Sequence, residues 1–415
     1  MRLRTQVGII GAGPAGLVLA NVLQQAGIEC VVVERHTRAH VEARARAGVI
    51  EHRTADFLAR HGLADQLLAQ GGRHSSCEFR YRGERFSVPY AELSGGRAHH
   101  VYPQQFLVRD LIASFLGAGG TLLFSHPVVG VAGLDSGRAV LRCEPTAGGE
   151  GGEGGGADDG PGEPLDLDCE FVAGCDGFYG AARASVPTGR LQAYSKQHEF
   201  GWLAILAEVP PSTEEIIYAL HEEGFAGHML RTPSVSRFYL QCPIGDAVEN
   251  WPEARIWATL RRRLAVDGWE LKTGPITETS VLDMRSFVVE PMQYGRLFLV
   301  GDAAHIITPA GGKGMNLAIA DAAELARGLV AHYSGAGSRL LDGYSAARLP
   351  EVWRAQEFSH WLLHLTHSPS GGGSDAPFMH RMQLSRLAHL RDSLSGAQLF
   401  AEGYVGSDLP GRVLR

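Results

Sequence analysis

Three glycines, Gly11, Gly13 and Gly16, lie between an apolar run over residues 5–10 and a helix-like stretch that begins at Pro14. In this G-x-G-x-x-G spacing the first glycine permits a tight turn. The second lets a pyrophosphate reach the backbone, and the third lets helix and strand pack closely. Ala15 sits inside the motif, where free N–H groups at the helix start suit phosphate. Glu34 ends a second apolar run, 28–33, about 20 residues further on, where a carboxylate can accept a ribose hydroxyl. Strand, helix, strand and carboxylate in this order spell a dinucleotide site, without separating NAD from FAD.

Two later motifs make that distinction. Residues 172–177 (VAGCDG) and 297–305 (LFLVGDAAH) each follow a strand-like run and place Asp176 and the pair Gly301 and Asp302 at its end. An aspartate there can hold the ribityl hydroxyls of a flavin. Residues 309–316 (PAGGKGMN) are glycine-rich and open another helix. Its N–H groups and positive dipole end can stabilise negative charge on a reduced flavin.

The elements around these motifs suggest an α/β chain. The spacing predicts a strand over 5–10, a helix over 14–26 closed by Gly27, and a strand over 28–33. Residues 196–283 are rich in strand-like runs, and the α/β pattern returns at Gly295 with a helix expected over 313–333. Helical stretches are expected over 340–366 and 378–400, separated by a glycine- and serine-rich loop. The stretch 146–164 (TAGGEGGEGGGADDGPGEP) is expected to be a long hairpin loop. The organisation expected is a discontinuous, Rossmann-like FAD-binding domain over 1–75, 97–183 and 280–340. A β-rich substrate domain over 76–96 and 184–279 is inserted in it, and a C-terminal helical region covers 341–415.

Composition excludes several classes. The 415 residues are 45% hydrophobic and 20% charged, enough for a sizeable core and against wholesale disorder. A net charge of −7 argues against a nucleic-acid binder. No run approaches the ~18 apolar residues of a membrane span. The N-terminal apolar run leads into the glycine motif and reads as a first strand, not a signal peptide. Six scattered cysteines show no metal-ligand spacing and suit a reduced, cytoplasmic protein with no metal.

At these motifs the chain resembles the FAD-dependent aromatic hydroxylases, the class A flavoprotein monooxygenases, and within them those that act on 4-hydroxybenzoate. The resemblance runs from residues 6–14 (QVGIIGAGP) through 46–51 (RAGVIE), 200–202 (FGW) and 285–293 (RSFVVEPMQ) to 404–406 (YVG). It implies hydroxylation of a 4-hydroxybenzoate-type acid ortho to the phenol by way of a flavin C4a-hydroperoxide. It also implies noncovalent FAD, NADPH or NADH as transient electron donor, O2, an aromatic monocarboxylate substrate, and no nucleic-acid or membrane partner. A homodimer is compatible with it, though the sequence does not set the oligomeric state.

By that resemblance Ala15, Glu34, Arg44, Arg46, Ala47, Gly48, Val49, Gln104, Asp302, Met315 and Asn316 lie along FAD. Tyr218, Arg231, Tyr239, Trp202 and the carbonyl of Pro309 surround the substrate. Arg231 can clamp a carboxylate in bidentate fashion. A phenol has a pKa of about 10, so its proton needs a way out, and the resemblance implies a relay from Tyr218 to Tyr404 to His74. The chain departs from the family at Met229, where a serine assists the clamp, at Gly227, which replaces a larger apolar residue, and at Ala310, which replaces a threonine. Space at Gly227 and Ala310 suggests a second reading, a ring-substituted acid such as 3-amino-4-hydroxybenzoate. His40 and Tyr179 stand where the family commonly has Tyr and His, which leaves NADPH versus NADH open. Rival readings are an NAD-dependent dehydrogenase without flavin, against which Asp176 and the Gly301–Asp302 pair speak, and a redox-sensing flavoprotein without oxygenase turnover.

Overall fold

The computed structural model describes residues 2–46, 48–144, 164–368 and 376–406. Ala47, nearly all of the glycine-rich stretch expected as a hairpin loop, and most of the second loop lie outside the described residues.

The first sheet is built on five parallel strands in the order Leu297–Leu299, Leu165–Gly174, Arg2–Ile10, Cys30–Val33 and Thr121–Leu123. Buried parallel strands read as continuous apolar runs, and residues 7–10 (VGII) and 31–33 (VVV) do. Helices Pro14–Gln25, Gln104–Gly117 and Lys313–Tyr333 pack with this sheet into one large apolar core. The helix expected over 313–333 has those bounds. An antiparallel pair, Val128–Ala132 and Ala139–Cys143, continues the sheet along the first half of Leu165–Gly174.

The second sheet has eight strands in the order His305–Ile306, Ile276–Glu290, Gln192–Ala207, Val235–Pro243, Ala226–Thr232, Ile216–Leu220, Cys77–Tyr81 and Glu84–Val88. The strands Gln192–Ala207 and Ile276–Glu290 pair antiparallel along most of their length, and residue 280 falls inside the second of them. Side chains alternate between the two faces. Leu203, Ile205, Ile217, Ala226, Phe238 and Leu240 pack against the helix Glu253–Arg263 through Ile256, Trp257 and Leu260. Trp202, Ala204, Tyr218 and Tyr239 face the other way, toward Phe358, Leu362, Phe400 and Tyr404 of the C-terminal helices. Those helices are shorter than the sequence suggests. Gly343 separates Arg339–Asp342 from Tyr344–Thr366, and Ser393 separates Ala376–Asp392 from Leu394–Val405. The Ser393 hydroxyl accepts from the Gly396 N–H, a side-chain cap that starts a new helix.

Five buried histidines shape the response to acid. Burial pushes His74, His228 and His367 down to about 3 and His99 and His198 to about 4. They are neutral in the fold, whereas the unfolded chain takes up protons near pH 6.5. Unfolding therefore binds protons below that pH, and stability is complete above it and lost as pH falls. The thermal midpoint should decline steadily from about pH 6.5 toward pH 4.5. A midpoint that stays flat to pH 4.5 in circular-dichroism melts contradicts this.

Candidate active site

The three motif glycines have three different surroundings. Gly11 has a φ of 102°, and a side chain there would meet the Cys175 carbonyl oxygen at 2.5 Å. A Cβ on Gly16 would lie 2.1 Å from the Gly11 oxygen, so that helix and turn touch only because it is absent. Gly13 has no atom within 4 Å of that position, which leaves the backbone open to a ligand. The helix Pro14–Gln25 starts there with no side-chain cap, and Ala15 is buried in its first turn. Glu34 accepts from the Ala12 N–H at 2.8 Å and from the His36 N–H at 2.9 Å. Its carboxylate thus ties the turn to the second strand and keeps lone pairs for a ribose.

The other end of the cradle comes from distant segments. Gly301, with a φ of 62°, puts Asp302 at the sheet's end, half exposed and 3.9 Å from Arg46. Arg44 lies in the same electrostatic neighbourhood, lowered by burial and by Arg46 and Arg35 beside it. Gly48 packs so closely on the Tyr102 carbonyl that a Cβ would stand 2.2 Å from its oxygen. Gly312, left-handed with a φ of 65°, precedes the helix Lys313–Tyr333. The Asn316 side chain accepts from the Glu51 N–H and donates to the Val49 and Gly312 carbonyls, so it braces the loop around the cradle. Met315 is half-buried nearby in sequence, and Gln104 opens the helix Gln104–Gly117. Asp176 accepts from the Ala182 N–H through one oxygen, while its other, buried oxygen has no partner. The open face at Gly13, the uncapped helix start, the two arginines and the orphaned Asp176 oxygen fit FAD.

On the second sheet, register sets Phe79, Tyr218, Gly227, Tyr239 and Ala204 in one row across five strands. Tyr218 and Tyr239 are thereby two strands apart with a glycine between them. The Gly227 site is not open space, contrary to the expectation from sequence. A Cβ there would meet Phe225 Cζ at 2.9 Å and Met229 Cε at 3.3 Å, so both side chains have moved into the room that the glycine leaves. Trp202 stacks on Phe225 and donates to His367 Nε2 at 2.6 Å. Ala310 is buried, and the Pro309 carbonyl accepts from the Gly312 N–H at 3.1 Å, which leaves it one lone pair.

Arg231 is 6% exposed and donates to the Arg46 carbonyl at 2.8 Å and to Gln105 Oε1 at 2.9 Å. No carboxylate pairs with it among the described residues. Burial pushes it down to about 10.

Tyr218 and Tyr404 are buried and in polar contact with each other, and Tyr404 also touches the Cys77 thiol. Burial raises both hydroxyls well above the ordinary tyrosine range. His74 is not hydrogen-bonded to Tyr404. Its Nδ1 meets the Tyr90 hydroxyl at 2.8 Å and its Nε2 accepts from the Ile216 N–H at 3.3 Å, with ring centroids 6.3 Å from Tyr404. Tyr90, whose ring lies 4.7 Å from that of Tyr404, stands between them and carried no signal in the sequence.

Sequence reasoning also missed a buried ionic chain. Lys313 donates to Glu51 at 2.8 Å and to the Tyr404 carbonyl, which His99 Nε2 also meets at 3.1 Å. Burial alone would raise Glu51, but Lys313 and Arg53 hold it down at about 2. From Arg53 the chain continues through Glu351 and Arg348 to Asp321, which accepts from the Gly301 N–H at 3.0 Å and meets His305 at 2.7 Å. Lys313 and Glu51 lay inside motifs already singled out. Arg53, Arg348 and Glu351 lay in helices where charge ordinarily means solvent.

The parallel sheet and its cradle define an FAD-binding oxidoreductase. A family model described as "FAD binding domain" matches residues 4–359. The p-hydroxybenzoate hydroxylase of Acinetobacter baylyi is 38% identical over 405 residues, 97% of this chain and 96% of that protein. Aklavinone 12-hydroxylase DnrF of Streptomyces peucetius is 29% identical over 371 residues, 82% of this chain and 70% of that one. Among solved structures, p-nitrophenol 4-monooxygenase PnpA from Pseudomonas putida DLL-E4 shares the fold with a TM-score of 0.81 at 19% identity, covering 99% of this chain and 100% of that one. The chain belongs to this FAD-binding family and is a FAD-dependent aromatic monooxygenase. The flavin-free dehydrogenase reading falls with that finding.

Two glycine substitutions should separate packing from cofactor binding. Gly16→Ala forces a shift against backbone, a strain of about 1–3 kcal/mol, and should lower the melting temperature of the apoprotein. Gly13→Ala should leave that melt unchanged and weaken FAD binding in a fluorescence titration. Equal effects of both variants on both readouts contradict the assignment.

Proposed function

We propose that this monooxygenase hydroxylates 4-hydroxybenzoate ortho to its phenol, with FAD on the parallel sheet and the acid on the second sheet. The observation that carries the reading is Arg231, a buried guanidinium with no acidic partner among the described residues, at a bulge of its strand and close to Tyr239. An unpaired buried charge is costly, and an aromatic carboxylate would relieve it. The A. baylyi relative, named for p-hydroxybenzoate, supports the same substrate.

Each side chain then has a task. Arg231 and Tyr239 hold the carboxylate end, and Trp202, Met229, Gly227 and Ala310 shape the walls. The Tyr218 hydroxyl and the Pro309 carbonyl meet the phenol. A phenolate pushes electron density into the ring at the ortho carbon, so removing the phenolic proton activates the substrate. Tyr218 passes that proton toward Tyr404. Tyr90, in ring contact with Tyr404, donates its own hydroxyl proton to the His74 carbonyl, so His74 is not joined to the relay in this arrangement. The chemistry supplied by bound FAD is acceptance of a hydride from NAD(P)H and activation of O2, so that one oxygen atom reaches the ring. Ala15, Glu34, Arg44, Arg46, Gly48, Val49, Gln104, Asp176, Asp302, Met315 and Asn316 form its cradle. Arg35, the stacked pair His36 and His40, and Arg285 beside exposed Tyr179 are the groups available to the nicotinamide nucleotide. Six unpaired cysteines support a reducing compartment, the cytoplasm. No helix among the described residues is long and apolar enough to cross a membrane.

Turnover with 4-hydroxybenzoate and 3-amino-4-hydroxybenzoate, scored for NAD(P)H oxidation and hydroxylated product, tests the substrate. The filled space at Gly227 favours the unsubstituted acid. Tyr218→Phe and Tyr404→Phe should retain FAD and lose product formation by ~10²–10⁴-fold, with reducing equivalents leaking to hydrogen peroxide. Product at the parent rate in both variants overturns the relay.

A further inference from the structure

The carboxylate clamp holds a second amide-bearing partner. Gln105 sits in the first turn of the helix Gln104–Gly117, one residue after a position assigned to the cofactor cradle. Its Oε1 accepts from Arg231 at 2.9 Å. The assignment of oxygen and nitrogen follows from chemistry, because a guanidinium only donates, so the atom facing it must be the amide oxygen. The amide nitrogen shares a carbon with that oxygen, and its N–H groups therefore lie beside the guanidinium. They have no protein partner among the described residues.

Arg231 itself is only partly used. Of five N–H donors, one goes to the Arg46 carbonyl and one to Gln105, which leaves three. Met229, two residues before it on the same strand, offers no donor, because it ends in a thioether methyl packed at Gly227. A carboxylate has room for about four hydrogen bonds. Besides the Tyr239 hydroxyl, the amide N–H groups of Gln105 are unused donors beside the fork, and the positive end of their helix adds to their attraction for an anion.

We infer that Gln105 is a substrate-binding and specificity-determining residue. Its oxygen fixes the Arg231 fork, and its amide N–H donates to the carboxylate of the aromatic acid. The inference rests on the reading of Arg231 as the carboxylate clamp. It assigns selectivity for an acid over a neutral ring to two residues from different sheets and helices, one charged and one neutral. The geometry also explains why the fork need not be held by an acidic residue. A neutral acceptor orients the guanidinium and leaves its charge for the ligand, whereas a glutamate at the same place would neutralise it.

The test is a set of dissociation constants for 4-hydroxybenzoate and 4-hydroxybenzamide, read from flavin absorbance changes in FAD-loaded protein. Gln105→Leu removes both acceptor and donor. It should weaken the acid by about tenfold, the loss of one hydrogen bond to a charged group, and leave the amide nearly unchanged. Gln105→Glu keeps the size and the acceptor but supplies an internal counter-ion. It should weaken the acid further than the leucine variant does and narrow or reverse the preference over the amide. FAD content and melting temperature check that each variant folds, and the isosteric glutamate variant keeps the test available if leucine perturbs the helix. Arg231→Ala separates the two claims. If it binds the acid as tightly as the parent, the clamp itself is wrong. If it loses the acid while both Gln105 variants bind acid and amide as the parent does, the clamp stands and the role of Gln105 is overturned.

Discussion

The contact on which the site depends is the buried ion pair between Lys313 and Glu51. Both side chains are almost wholly enclosed, so neither charge is tolerable without the other. The pair fastens the start of the helix Lys313–Tyr333 to the segment after Val49, and Lys313 also holds the Tyr404 carbonyl. Three stretches from opposite parts of the sequence are thus brought to one point. Removing one partner of such a pair costs about 3–5 kcal/mol, so the geometry is held firmly. The continuation through Arg53, Glu351, Arg348 and Asp321 reaches the Gly301 N–H, at the turn that carries Asp302. One chain of alternating charges therefore spans from the turn at Gly301 to the Tyr404 carbonyl.

The second sheet supplies what the first cannot. A parallel sheet presents a ligand at the ends of its strands, whereas the antiparallel sheet presents a face. Its register lines up Tyr218, Gly227 and Tyr239, and the C-terminal helices cover that face with Phe358, Phe400 and Tyr404. Arg231 joins the two parts, since it belongs to the second sheet yet donates to the backbone of Arg46 in the cradle. On the proposed reading, substrate binding and cofactor position are linked through this one side chain.

How much of this was legible follows from the physics of each feature. The Gly11–Gly16 turn and the strand–helix–strand around it rest on local sterics, and the sequence displays them directly. The helix Lys313–Tyr333 was readable from its glycine-rich start and its apolar periodicity. Gly343 and Ser393, which break the C-terminal helices, were not separated from helical surroundings by periodicity alone. At Gly227 the sequence tells that a side chain is absent, but only packing tells that Phe225 and Met229 take its room. Tyr90 and Gln105 carried no signal, because an aromatic or an amide means nothing until its partner is known. The Arg53–Glu351–Arg348 links were hidden for the same reason, as charges on helices usually face solvent.

The central claim is that the ring of an aromatic acid lies with its carboxylate on Arg231 and its phenol at Tyr218 and Pro309. The most direct measurement is a crystal structure of the FAD-loaded protein with 4-hydroxybenzoate. The account predicts carboxylate oxygens within hydrogen-bond distance of the Arg231 guanidinium and the phenolic oxygen on the Tyr218 hydroxyl. A ring bound in the opposite orientation, or an acid bound away from Arg231, would contradict it.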